Sequence, residues 1–135
     1  MPDITGLSHL TLTVTDVDRS LDWYQQLLGV QMIFEGEEPE NAVTRFVVTI
    51  HPTSALILGL RKHRSTADER FDETKVGMDH VAFQVGSRAV MDEWVARLDE
   101  LGIEHSGVKD AAYGSVITFR DPDNIQLELF ALPGT

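Results

Sequence analysis

The feature that most constrains this chain is an internal repeat. The stretch GLSHLTLTV, residues 6–14, opens glycine, apolar, polar, histidine, and GMDHVAFQV, residues 77–85, does the same. His80 follows His9 at an offset of 71 residues, and that offset carries Val14 onto Val85, Trp23 onto Trp94 and Leu27 onto Leu98. A slip of two residues then aligns Leu28-Gly29-Val30 with Leu101-Gly102-Ile103. Self-similarity at a fixed spacing means one supersecondary unit used twice. Each copy reads strand, helix, helix-ending glycine, strand.

The strands show the period of two that places alternate side chains on opposite faces. Leu10, Leu12 and Val14 share one face, with His9, Thr11 and Thr13 on the other. In the second copy Val81, Phe83 and Val85 oppose His80, Ala82 and Gln84. The apolar face is expected to pack on a helix and the histidine face to line a polar concavity. Helical spacing follows: Val17, Leu21, Tyr24 and Leu28 form one stripe, and Val90, Trp94, Leu98 and Leu101 another. Asp16 and Ser87 are expected N-caps, Gly29 and Gly102 the stops, and Trp23 and Trp94 core residues.

Each copy continues with strand, proline-containing turn, strand: TRFVVTIHPTSALILGL in the first and GSVITFRDPDNIQLELF in the second. In the last strand Ile125, Leu127 and Leu129 face one way, and Gln126, Glu128 and Phe130 the other. A carboxylate inside an apolar strand is costly unless paired or bound to a cation, which singles out Glu128. The segment 61–76, RKHRSTADERFDETKV, is charged and aperiodic and reads as a linker or flap between module one, about 4–60, and module two, 77–131.

His9, His80 and Glu128 therefore form a two-histidine, one-carboxylate set on cavity-facing positions. Such donors suit a single divalent ion, Fe, Mn, Ni, Co or Zn, and leave positions open for Lewis-acid chemistry. Thr13, Gln84 and Gln126 share those faces and are candidate substrate contacts. His63, if its strand continues past Gly59, shares the face as well and is a candidate catalytic group. Tyr113, in a Gly/Ala-rich loop, could close over a pocket. Phe71, the one strongly apolar residue inside the linker, is a candidate lid or substrate contact. His51 reads as a turn residue and His105 as exposed.

Composition narrows the partners. Of 135 residues, 11 are Lys or Arg and 22 are Asp or Glu, a net charge of −11 that repels phosphate backbones and anionic bilayers. With no cysteine there are no disulfides, thiolate ligands or thiol nucleophile. The apolar runs are too short to span a membrane, and the first residues lack the basic and apolar regions of a secretory signal. The expectation is one compact cytoplasmic domain over 1–135 that binds a small molecule, with neither nucleic acid nor membrane as partner.

These stretches together (GLSHLTLTV, the DRSLDWYQQLLG helix, MDHVAFQV and FRDPDNIQLELF) resemble the vicinal oxygen chelate superfamily over nearly the whole chain. That group includes glyoxalase I, bleomycin-resistance proteins, fosfomycin-resistance enzymes, methylmalonyl-CoA epimerase and extradiol dioxygenases. The resemblance implies an α+β fold of two βαβββ modules, a curved mixed sheet around a metal-binding cleft. It implies a metal on His9, His80 and Glu128, a substrate whose vicinal oxygens chelate it, and a homodimer. Three activities follow from it: glyoxalase-like lyase or isomerase chemistry, extradiol Fe(II) ring cleavage, or non-catalytic sequestration of a small molecule.

The departures are informative. Glyoxalase I has a fourth ligand, a glutamate, on the last strand of module one. Aligning LILGL with IQLEL places Gly59 there, and a shift of one places Leu58. Neither can abstract a proton. The glutamine of the epimerase is missing at the same place. Extradiol enzymes have a tyrosine where this chain has Thr118, and an upstream histidine that is absent from 106–119. The HLTL of fosfomycin enzymes is present, with Thr11 at a substrate-contact position, but DAAYGSV does not match their potassium loop.

Overall fold

The computed structural model describes residues 1–66 and 68–135. Its chain divides into two compact units, Met1–Glu69 and Arg70–Thr135. Each holds one four-stranded mixed sheet and one long helix, so the expected α+β pair of βαβββ modules is present, with a separate sheet in each module.

In the first unit β1 (Leu10–Thr13) leads to α1 (Val17–Leu28), then β2 (Gln31–Glu38), a 3-10 turn at Pro39–Asn41, β3 (Val43–Ile50) and β4 (Ile57–His63). The sheet order is β1-β4-β3-β2. β1 pairs parallel to β4, and the other two pairings are antiparallel. The stretch read as a linker thus gives its first three residues to β4. The Asp16 carboxylate accepts from the Arg19 backbone N–H at 3.0 Å and starts α1. Gly29 ends it at φ 71°, in the left-handed region where a side chain would be strained.

The buried face of α1 is rotated from the expected stripe. Val17, Ser20, Tyr24 and Leu27 are buried, while Leu21 and Leu28 flank them half-covered. Trp23, expected in the core, is half-buried and stacks edge-on to Tyr24 with ring centroids 4.8 Å apart. Tyr24 is the larger contributor because it points at the sheet and Trp23 lies beside it. The helix packs on β3 and β4, covering Val47, Leu58 and Leu60, all fully buried. Each such side chain contributes about 1.5–3 kcal/mol relative to an exposed one.

The second unit repeats the plan: β5 (Val81–Gln84), α2 (Arg88–Glu100), β6 (Lys109–Ala111), β7 (Gly114–Arg120) and β8 (Gln126–Ala131), in the order β5-β8-β7-β6. Ser87 caps α2 through the Val90 N–H at 3.3 Å, and Gly102, at φ 67°, follows its last turn. Met91 and Leu98 are its buried contacts, and Trp94 is again half-buried rather than core. Ile117, Phe119, Ile125, Leu127 and Leu129 complete this core. The strand expected straight after Gly102 is reduced to a single bridge, His105 to Phe119, and the three residues of β6. Among the described residues no helix is long and apolar enough to cross a membrane.

Candidate metal centre

β8 alternates as its sequence demands. Ile125, Leu127 and Leu129 are buried, while Gln126, Glu128 and Phe130 lie half-exposed on the opposite face. The turn that aims this strand is built by the DPDN motif. Asp121 Oδ1 accepts from the backbone N–H of Asp123 at 2.9 Å and of Ile125 at 2.8 Å, and Asn124 sits at φ 68°, which asparagine tolerates. Parallel pairing then sets Ala82 of β5 beside Glu128 of β8.

His80 stands one residue before β5, and its Nε2 lies 3.5 Å from Glu128 Oε2. Two donors each about 2.1 Å from one ion can be no more than about 4.2 Å apart, so this pair fits a shared divalent cation. Behind the ring, His80 Nδ1 is 2.7 Å from Asp79 Oδ1. Thr118 Oγ1 donates to the other carboxylate oxygen, Glu128 Oε1, at 3.4 Å. The imidazole and carboxylate suit the borderline divalent metals.

His9 occupies the equivalent place in the first unit, one residue before β1, with Ser8 Oγ at 3.1 Å from its Nδ1. It lines a cavity of about 200 Å3 with Thr11, Phe46, Val47, Val48, Ile57, Gly59 and Arg61. The register decides which residue stands at the fourth-ligand position. Thr11 pairs with Gly59 as Ala82 pairs with Glu128, so the counterpart of Glu128 is Gly59, and Leu58 is buried on the other face. A Cβ on Gly59 would lie 2.7 Å from Thr11 Oγ1, so Thr11 fills the space a ligand side chain would need. Among the described residues no three metal-ligating side chains form one cluster. The second unit presents a pair, and the first a single imidazole.

The other expected site residues are placed as follows. Thr13 and Gln84 are exposed on the same strand faces as Thr11 and Ala82. Arg61 lies over the Phe46 ring, 5.3 Å from its centroid, and is held by both oxygens of Glu38 at 3.1 and 2.7 Å. That guanidinium holds the Glu38 carboxyl below its ordinary range, helped by Asn41. Sequence reasoning passed over this pair, since nothing in the spacing of Glu38 and Arg61 foretells the β2–β3–β4 pairing that joins them. His63 ends β4 opposite Val43 and is not part of the cavity wall.

Tyr113 is exposed on the tight turn between β6 and β7. Phe71 is half-buried. Its N–H donates to the Asp123 carbonyl at 2.9 Å, and its own carbonyl accepts from Asn124 Nδ2 at 3.0 Å, so its backbone is fastened to the DPDN turn. The Gln126 amide is committed on both ends, to Arg120 and to Asp79. His51 does sit at the β3–β4 turn. His105, expected to be exposed, is largely covered because Asp99 holds its Nε2 at 2.9 Å and the Gly107 N–H its Nδ1 at 3.0 Å. It borders a larger depression of about 480 Å3 with Asp99, Gly102, Ile103 and Glu104. That surface is broad and acidic, and both nitrogens of its histidine are already engaged.

The sequence model of the Glyoxalase/Bleomycin resistance protein/Dioxygenase superfamily matches residues 6–129. The chain belongs to this superfamily. A solved glyoxylase/bleomycin resistance protein/dioxygenase domain from Frankia sp. EAN1pec is 33% identical with a TM-score of 0.86, covering 96% of this chain and 99% of that one. The fosfomycin resistance protein FosX of Listeria monocytogenes is 28% identical over 95% of this chain and 90% of its own. A structure of a point mutant of it, complexed with Mn(II) and 1S,2S-dihydroxypropylphosphonic acid, has a TM-score of 0.67 at 25% identity, covering 95% of this chain and 90% of that one. Lactoylglutathione lyase from Neisseria meningitidis is 28% identical over 90% of this chain and 87% of its own. The superfamily thus spans a lyase and a resistance protein that holds a divalent metal and a small molecule.

Proposed function

We propose that the protein is a metal-dependent enzyme of the vicinal oxygen chelate type, with lyase or isomerase chemistry on a small oxygenated molecule. The observation that carries this is the His80–Glu128 pair, two donors 3.5 Å apart with Asp79 directly behind the imidazole. A carboxylate behind a ligating histidine is the usual support of a metal site. His9, His80 and Glu128 would hold one divalent ion, which when bound polarises substrate oxygens. Glu128 is steadied by Thr118. Thr11 and His9 give the first-unit cavity its polar edge, and Phe46, Val48 and Ile57 give it apolar walls for the body of a substrate. A homodimer and a cytoplasmic location belong to the same reading.

Gly59 shapes the choice of reaction. It offers no carboxylate to take a proton beside the metal, so glutathione–methylglyoxal hemithioacetal is a poor substrate by this reading. Calorimetric titration with Mn(II), Fe(II), Ni(II), Co(II) and Zn(II) tests the proposal. One ion per chain is expected, lost on His9→Ala, His80→Ala or Glu128→Ala. No uptake of any of the five would overturn it. Rapid hemithioacetal turnover by the loaded protein would overturn the part that rests on Gly59.

A further inference from the structure

We infer that Gln126, with Arg120 behind it, is a positioning residue that fixes which ring nitrogen His80 presents to a metal ion. The inference rests on the metal reading above. Its basis is a chain of hydrogen bonds that holds the Asp79 carboxylate against the His80 ring. Arg120 is always a donor. Its Nη1 and Nη2 engage Glu73 at 2.9 and 2.7 Å, and Nη2 also reaches Gln126 Oε1 at 3.0 Å. Facing a guanidinium, the Gln126 amide must turn its oxygen toward Arg120, which aims its NH2 group the other way. That group donates to Asp79 Oδ1 at 3.0 Å and lies 3.4 Å from the Asp79 carbonyl.

The Asp79 carboxylate only accepts, so the ring nitrogen 2.7 Å from it, His80 Nδ1, carries the proton. The lone pair is left on Nε2, the nitrogen that faces Glu128. Arg120 orients the Gln126 amide, the amide holds the Asp79 carboxylate against the ring, and the carboxylate, an acceptor only, selects the tautomer. Among the described residues His9 has no comparable device. Its Nδ1 meets Ser8 Oγ, a hydroxyl that can donate or accept and therefore selects neither tautomer.

The relay also gives Gln126 a reason to lie between Arg120 and Asp79. It serves the ligand from behind and does not touch the reacting atoms. Glu73, from the segment before β5, anchors the far end, so that segment takes part in setting the metal centre.

The test uses metal-free and Mn(II)-titrated full-length protein labelled with 15N-histidine, with Gln126→Glu and Gln126→Met. The first keeps the size and the acceptor but loses the donor to Asp79, and the second keeps length alone. Long-range 1H–15N correlation should show His80 as the Nδ1–H tautomer in the parent and as a mixture in both variants, with the His9 pattern unchanged. Mn(II) affinity should fall about 10–100-fold at unchanged stoichiometry. A His80 spectrum and an affinity unmoved in Gln126→Glu would overturn the inference. If the parent protein takes up no Mn(II), the metal reading fails. The tautomer spectrum then judges the relay by itself, and an unmoved spectrum overturns it.

Discussion

Thr11 in the first unit and Ala82 in the second stand at the same place on the same strand, and their partners across the parallel pairing are reciprocal. Thr11 faces Gly59, and Ala82 faces Glu128. A large residue on one strand goes with a small one on the other, and the two units made opposite choices. Where the small residue is on the first strand, the last strand can carry a carboxylate. Where a threonine occupies the first strand, the last has no room beyond hydrogen. One architecture used twice therefore gives one half a histidine–carboxylate pair and the other half a cavity of about 200 Å3, with opposite steric choices at a single pair of positions.

The comparison can be broken most sharply in the cores. Leu58→Ala and Leu127→Ala remove equivalent, fully buried side chains and should each cost about 2–5 kcal/mol in urea denaturation. A cost below about 1 kcal/mol at either position would mean that the two sheets are not packed alike. Next come the facing pairs. Gly59→Ala should cost about 1–3 kcal/mol through its approach to Thr11, and Thr11→Ala in the same chain should recover much of it. Ala82→Thr should crowd Glu128 and weaken metal binding without a comparable loss of melting temperature. If Ala82→Thr is neutral in both measurements, the steric exchange is not what separates the units.

The helix caps give a finer contrast. Asp16→Ala and Ser87→Ala should each cost about 1 kcal/mol, with Asp16 the dearer because its charge also meets the positive end of the helix. The smallest effect is in pH. Arg120 holds the Glu73 carboxyl down at about 2, against an ordinary value of 4.5. A lowered carboxylate stabilises the fold fully above the ordinary value and loses that contribution as pH falls toward 2. Denaturation of Glu73→Gln should therefore fall off less steeply between pH 5 and pH 2 than that of the parent chain. Glu38, beside Arg61, is lowered in the same direction, so Glu38→Gln should likewise flatten the loss of stability on acidification below the ordinary carboxylate value.

Much of this was legible from alternation. Leu10 to Val14 and Ile125 to Phe130 announce their inner and outer faces by period alone, and the structure keeps both. Asp16 and Ser87 are readable because a cap is a local bond. What escaped was long-range. The pairing of Glu38 with Arg61 depends on a sheet order that no local pattern states, and the relay from Glu73 to Asp79 crosses 47 residues at two of its links. The faces of α1 were read about one position off because Ser20 and Leu27, not Leu21 and Leu28, meet the sheet. Trp23 and Trp94 misled through size: a large apolar ring covers an edge as readily as it fills a centre.

The DPDN turn has a consequence for how such chains are sorted. Its aspartate closes the turn on two backbone N–H groups, and its asparagine supports Arg70 and Phe71. None of these jobs involves a metal. A chain that lost Glu128 would still need this corner to fold, and would keep the four letters for that reason. Recognition by this motif therefore collects proteins by how they bend. The proposed metal site makes a separate demand two and four residues later, at Gln126 and Glu128.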